Sequence, residues 1–396
     1  MDQVLAGVTV LDLSRYIAGP FCATILADWG AEVIRIEAPG GAEDRTQGPL
    51  APSGDNLRYT MIARNKKGIT LDMACPRGKE IFHRFLEKSD VVVENYSPPV
   101  KEKLGLTYEA LKQVKPDIIL VTVSAFGSTG PYRHRLGFDQ IAQAESGAMS
   151  FTGFPDGEPT RSHLAWVDLS TALHSALGAV LALMHRQKTG EGQRVETALL
   201  DTAVSWVSMQ GTAAEHQVMG LTRPRLGNAS YYAFSDTFKA RDGVVMVAIV
   251  SEPLWRRMAE LLGQPELADD PRFQGDTARY ENRHLINAML DEWVGARSVE
   301  EVLSVMGQAR IPCGRVNQVS QMIADPQVAA RQLLQTMAVP GIGEVIHPRV
   351  AIDMSRTPGR INTPAPRVGE HNEEVYCGFL GLSPQELARL QAEGVV

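Results

Sequence analysis

The 396-residue sequence predicts an α/β fold, with an open, mostly parallel sheet in a large domain joined to a smaller α+β domain. Three observations carry this expectation. Short apolar runs alternate with helical patterns over residues 1–130. The chain then enters a long helical region. Residues 221–232, a mixture of Gly, Pro, Arg and Asn, punctuate its end.

Residues 8–13 read as the first strand, 20–29 as a helix and 32–36 as a second strand, which together make a βαβ unit. A strand at 69–73 follows, then a helix over 76–88 that begins on Pro76, a residue suited to the first helical position. A strand at 90–95, a helix at 100–114 and a strand at 117–123 continue the alternation, which implies a Rossmann-like parallel sheet covered on both faces. Ligands of such sheets gather at the carboxyl ends of the strands. A loop at 153–160 precedes a long helix over 169–187, ended by Lys188, Thr189 and Gly190, and helical character persists to about residue 220. The expected organisation is a large domain begun by 1–220, a linker at 221–233, a small domain at 234–330 and a return segment at 331–396 that completes the large domain. The small domain has a strand at 243–250, helices at 253–262, 283–294 and 299–306, and an extended stretch at 312–319. A last helix is expected at 384–393.

Composition excludes several classes. A net charge of -7 is the wrong sign for a general nucleic-acid binder. The most apolar run, residues 175–184, is too short to span a bilayer, so no membrane partner is expected. Cys22, Cys75, Cys313 and Cys377 are scattered without CxxC spacing, and the N-terminus has no basic leader, so a reducing cytoplasmic setting is expected. Histidines and carboxylates form no metal-ligating pattern, and no metal is expected. GxGxxG, P-loop and GxSxG patterns are missing, which removes the usual warrants for dinucleotide, nucleotide or serine acyl chemistry.

Two clusters remain. Asp168 sits just ahead of the long helix, where it is either an ordinary N-cap or a carboxylate kept ionised and oriented by the helix dipole as a nucleophile. The run Arg64, Asn65, Lys66, Lys67 precedes a strand and is either a solvated turn or an anion contact, and Lys101 and Lys103 carry the same ambiguity.

Several segments go further. VLDLSRYIAGPFCATILADWGAEVIRIEAP, RNKKGITLDM, DVVVENYSP with the following EKLG, ILVTVSAFGSTGP, GFDQIAQAESG, and VDLSTALHSALGAVLAL with the later KTGEGQ together span most of the chain. In these the sequence resembles the family III CoA-transferases, which include formyl-CoA, carnitine and succinyl-CoA-dependent dicarboxylate CoA-transferases. The resemblance implies that Asp168 is the catalytic nucleophile, passing through an aspartyl anhydride and an aspartyl-CoA thioester. It implies coenzyme A contacts at Tyr16, Leu71, Asn95, Tyr96, Lys103 and Leu104, with Arg64 and Lys66 as phosphate candidates, and an acid-substrate site near Asp139, Phe138, Ile17 and Gly227. It implies no tightly bound cofactor, acyl-CoA and a free carboxylic acid as partners, and an interlocked homodimer.

Three departures narrow the reading. Ile17 and Phe138 stand where formyl-type members have Gln and Tyr, Leu226-Gly227-Asn228-Ala229-Ser230 replaces their glycine-rich loop, and Ala38-Pro39 replaces an Arg common after the second strand. These disfavour formate and oxalate, while the NKK turn, the GFD segment and the closing EGVV resemble the dicarboxylate group, so a succinyl-CoA-type donor with a dicarboxylate acceptor is expected. Two rivals stay open: an α-methylacyl-CoA racemase-type isomerase, which needs a proton-carrying residue where Phe138 stands, and a CoA-binding partner subunit without catalysis.

Overall fold

A computed structural model describes residues 3–396, which divide into two compact units: 3–146 with 162–210 and 329–396, and 147–161 with 211–328. In the first unit the elements run β1 (Thr9–Asp12), α1 (Ala18–Asp28), β2 (Glu32–Glu37), α2 (Leu57–Ile62), β3 (Lys66–Thr70), α3 (Pro76–Glu87), β4 (Val91–Glu94), α4 (Pro98–Leu104), α5 (Tyr108–Val114), β5 (Ile119–Ser124), α6 (Asp139–Glu145), α7 (Trp166–Thr189), β6 (Arg194–Ala198) and α8 (Leu199–Met209). The sheet order is β3-β2-β1-β4-β5-β6, parallel throughout. This is the doubly wound arrangement that the alternation predicts.

Both faces of the sheet are covered, which is why its central strands β1, β4 and β5 read as short apolar runs. Leu11, Ile34, Ile69, Val92 and Leu120 face α3, where Ile81, Phe82, Phe85 and Leu86 are buried. Val10, Val33, Val91, Val93 and Val121 face the other way, among Cys22, Ala23 and Leu26 of α1 and Ala172, Ala176, Ala179 and Ala182 of α7. The two sets alternate along each strand because successive side chains point to opposite faces. The outer edge of β3 is closed by the end of the chain. The His371 amide donates to the Gly68 carbonyl at 3.0 Å, Asn372 Oδ1 accepts from the Thr70 amide at 3.0 Å, and the Tyr376 hydroxyl donates to the Thr70 carbonyl at 2.7 Å. A Cβ on Gly68 would stand 2.9 Å from Pro366, so this covering requires glycine there. An otherwise open strand edge is thereby satisfied.

Several local expectations need correction. The helix expected over 100–114 is two helices, because Gly105 takes φ 72 as a left-handed cap after α4. The third strand begins at Lys66, three residues ahead of its expected start, because Lys66 and Arg64 are buried with carboxylate partners and behave as interior residues. The strand β6 lies in a stretch expected to be helical, and its half-exposed residues carry little apolar signal. The long helix is 24 residues and, by length and composition alone, matches a membrane span. Its buried face is small (Ser170, Thr171, Ala172, Ser175, Ala176, Ala179, Ala182) and fits closely over the sheet.

The second unit contains α9 (Thr212–Met219), β7 (Phe234–Ala240), β8 (Gly243–Ile249), α10 (Glu252–Leu261), α11 (Gly275–Glu281), α12 (Arg283–Gly295), α13 (Val299–Gln308), β9 (Cys313–Arg315) and α14 (Val319–Ile323). Its antiparallel sheet, β7-β8-β9, covers a core around Trp255, Phe273, Ile286, Leu290 and Val302. The buried Trp255 indole donates to the Leu267 carbonyl at 2.9 Å, so its polar edge is satisfied inside that core. The unit differs from the expected 234–330. It takes in 147–161 and the whole of the expected linker, because Gly227 donates to the Gly153 carbonyl at 2.8 Å and ties these segments together. After α15 (Pro326–Ala330), the first unit resumes with the hairpin β10 (Leu334–Val339) and β11 (Gly343–Pro348), and later α16 (Pro384–Ala392).

Candidate active site

In a doubly wound sheet the ligand crevice lies where strand order reverses, here between β1 and β4. The segments that follow β1, β4 and β5 meet there around a cleft of ≈ 310 Å³, with Tyr16, Ile17, Asn95, Phe138, Asp168 and Leu199 on its walls. A second cleft of ≈ 140 Å³ shares Asn95, Leu136 and Gly137 with the first and continues to Lys101, Arg133, His134 and Arg135. The combined groove has a carboxylate at one end and a basic cluster at the other.

Asp168 is not the N-cap that its position suggested. Ala165 occupies that place and offers no side-chain bond, and Asp168 lies within the first turn of α7. The cap comes from elsewhere in the chain: Asp139 Oδ2 accepts from the Val167 amide at 2.9 Å and the Asp168 amide at 3.1 Å. Asp139 Oδ1 in turn accepts from the Gln143 amide group, whose own oxygen accepts from the Ser162 amide at 2.9 Å. The neighbouring donors are also engaged, Trp166 with the Leu164 carbonyl at 2.8 Å and Leu169 with the Ala165 carbonyl at 3.0 Å. The positive end of the helix is therefore already neutralised, and Asp168 gains little from it. Burial pushes the Asp168 carboxyl up to about 7, the negative charge of Asp139 adds to that rise, and Arg58 opposes it. The group is thus poised between acid and nucleophile near neutral pH.

The other candidate residues divide. Tyr16, Ile17 and Phe138 line the cleft beside Asp168, and the Tyr16 and Phe138 rings meet edge to face at 5.5 Å between centroids. Asn95 lines both clefts, with its carboxamide already embracing Arg15: Oδ1 accepts from the Arg15 amide at 2.9 Å and Nδ2 donates to the Arg15 carbonyl at 2.7 Å. Tyr96 lines the second cleft beneath the Arg15 guanidinium. Asp139 lines neither cleft and acts on Asp168 through its bond to the backbone amide and through its charge. Gly227 lies in the second unit with φ 64.

Five candidate residues are corrected. Arg64 is buried and donates to Asp28 at 2.7 Å and 3.2 Å, so it does not offer a phosphate contact. Lys66 is buried against Asp12 at 2.8 Å and the Pro20 carbonyl at 2.6 Å, which occupies its ammonium. Leu71 and Leu104 pack into the main core and lie outside both clefts. Lys103 is exposed but lines neither cleft. Its neighbour Lys101 does, held at 3.0 Å by the buried Glu94. The short basic run Arg133-His134-Arg135 was the missed signal. Arg135 is fixed over the Phe126 and Tyr132 rings, 4.8 Å and 4.4 Å from their centroids.

The sequence pattern of CoA-transferase family III matches residues 5–372. The succinyl-CoA–D-citramalate CoA-transferase of Chloroflexus aurantiacus is 37% identical over 99% of this chain and 98% of its own length. The formyl-CoA:oxalate CoA-transferase of Streptomyces coelicolor is 34% identical over 100% of this chain and 99% of its own. Among solved structures, a CAIB/BAIF family protein from Brucella suis superposes with a TM-score of 0.84 at 32% identity, covering 96% of this chain and 100% of that one. A carboxylate in the switch-point crevice of this sheet, on a chain matched from end to end, makes the protein an enzyme that transfers coenzyme A and a member of the family III CoA-transferases.

Proposed function

We propose that this enzyme moves CoA from a succinyl-CoA-type donor to a free dicarboxylic acid, with Asp168 as the covalent nucleophile. The observation that carries the reading is the single carboxylate of Asp168 on the wall of the switch-point cleft, which it shares with the apolar Ile17, Phe138 and Leu199. The carboxylate attacks the donor thioester carbonyl, the C–S bond breaks, and CoA leaves as thiolate while an aspartyl anhydride forms. The thiolate attacks the aspartyl carbonyl, releasing the donor acid and leaving an aspartyl-CoA thioester. The acceptor carboxylate displaces the thiolate to give a second anhydride. Thiolate attack on the acceptor carbonyl then yields the new thioester and regenerates Asp168. Every step exchanges one activated acyl bond for another, so no external energy source is needed. Apolar walls limit water, which would hydrolyse the intermediates.

The basic end of the groove, with Lys101, Arg133 and Arg135, suits the phosphates of CoA. The citramalate-transferring relative favours a diacid. A matrix of acyl-CoA donors against free acids, read by mass spectrometry, tests this: exchange is expected between succinyl-CoA and C4–C5 diacids, with an acyl-enzyme or CoA adduct on the Asp168 peptide. Exchange confined to monocarboxylic acids removes the diacid assignment, and α-proton exchange in D2O without any acceptor replaces transfer by isomerisation.

The proposal includes an interlocked homodimer. One face of α7 exposes Leu169, Leu173, Leu177, Leu181 and Met184, and α8 exposes Trp206 and Met209. A continuous stripe of this kind marks an association surface. Sedimentation is expected to show twice the 43.2 kDa chain mass, and separately folded tagged and untagged protein should not exchange chains on mixing. A stable monomer at micromolar concentration sinks the dimer, and rapid exchange sinks the interlocking.

A further inference from the structure

The wall of the acyl cleft contains a residue in a backbone conformation that its side chain does not favour. Tyr16 has φ 69, in the left-handed region, directly between β1 and the start of α1. Such a conformation in a non-glycine residue persists only when its surroundings over-determine it.

Here the surroundings do so from below. Asp44 Oδ2 accepts from the Tyr16 amide at 3.0 Å, and the adjacent Glu43 accepts from the Tyr16 hydroxyl at 2.8 Å, so one turn holds both ends of the residue. Asp44 is itself buried and gripped by Arg35, whose Nη2 lies 2.9 Å from each carboxylate oxygen. Arg35 also donates from Nη1 to the Ser14 carbonyl at 3.1 Å and from Nε to Glu37 at 2.6 Å. Glu37 accepts in turn from Arg45 at 2.7 Å, which fixes it in the same network. On the other side of the turn, Asn95 holds both backbone groups of Arg15. Residues 14, 15 and 16 are each pinned by a side chain from a different segment, and the next residue, Ile17, lines the same cleft as Asp168. The arrangement exceeds what chain reversal between a strand and a helix requires.

We propose that Asp44, locked by Arg35, is a positioning residue for CoA transfer: it holds Tyr16 in its left-handed conformation and thereby sets the wall against which the acyl group meets Asp168. Asp44 lines neither cleft, so it acts on the reaction through the turn it holds at Tyr16. This rests on the reading of the Asp168 cleft as the acyl site, and the experiment separates the two.

The test is a double-mutant cycle of Asp44→Ala against Tyr16→Gly, with Asp44→Asn and Asp168→Asn alongside, each assayed for succinyl-CoA-dependent transfer to a diacid per folded active site. Glycine adopts φ near 69 without strain, so it removes the need for the restraint. Asp44→Ala is expected to lower kcat by about thirtyfold, the scale of a small misplacement of reacting groups, with a smaller change in KM for the acyl-CoA. In the Tyr16→Gly background the same change is expected to cost no more than about twofold, and Asp44→Asn, which keeps an acceptor for the Tyr16 amide, should retain most of the activity. Equal losses in both backgrounds overturn the proposal, as does a lowered Tm with kcat per folded site unchanged. If Asp44→Ala does not fold, Asp44→Asn in the two backgrounds gives the same comparison, with a smaller loss that Tyr16→Gly must still erase. Full activity in Asp168→Asn would instead remove the cleft assignment beneath it.

Discussion

Replacing Asp168 by Asn is expected to reduce CoA transfer by about 10⁴-fold or more, the scale reached when a covalent nucleophile is removed, with no adduct detectable on its peptide. The loss should come without unfolding. Because burial and Asp139 raise the Asp168 carboxyl from 3.8 to about 7, its contribution to stability is fully present below 3.8 and is lost as pH rises through about 7. The Asn variant carries no such charge, so its Tm relative to the parent should rise between those pH values and stay higher above them. The parent's acylation rate should follow the same ionisation, increasing with pH through about 7 as the carboxylate forms. Asp139→Asn removes a nearby negative charge and should move that transition to lower pH. A flat rate between pH 5 and 8 in the parent, or transfer by Asp168→Asn at the parent rate, contradicts the nucleophile assignment.

The second large effect concerns Lys66. A lysine at the surface of a basic turn would be dispensable for folding and useful for phosphate binding, whereas the structure buries it with Asp12 beneath the β1 loop. Burial alone disfavours ionisation of Asp12, but Lys66 and Arg35 beside it outweigh that and hold its carboxyl below the usual range. Lys66→Met keeps the volume and removes the charge, leaving Asp12 with Arg35 at 3.6 Å as its remaining ion-pair partner. Breaking a buried pair in this way is expected to cost about 3–5 kcal/mol in denaturant unfolding at neutral pH. CoA affinity of the folded fraction, measured by calorimetry, should stay within about twofold. A variant of parental stability with weakened CoA binding would restore Lys66 to the phosphate site.

The parallel sheet was legible because its strands are buried on both faces and so appear as short apolar runs between amphipathic helices. Pro76 and Gly190 marked helix ends through their own backbone preferences. Asp168 was legible as a residue but not as an environment. The cap of its helix comes from Asp139, a residue earlier in the chain, and no local rule connects the two. Arg64 and Lys66 misled for the same reason in reverse, since a basic run ahead of a strand looks solvated until Asp28 and Asp12 are brought against it.

The succession of strands and helices in the large domain and the identity of one carboxylate ahead of the long helix follow from residues close together in the chain, because helix and strand periodicity and turn chemistry are local, whereas the order of strands in the sheet and the place where it reverses were decided by tertiary pairing. Which charges are interior, which carboxylate caps the long helix, and how the turn at Tyr16 is held in a conformation it would not adopt alone depend on segments that only folding brings into contact. Pairing between distant charges carries no periodic signature along the chain, and its energy appears only once water has been excluded from between them.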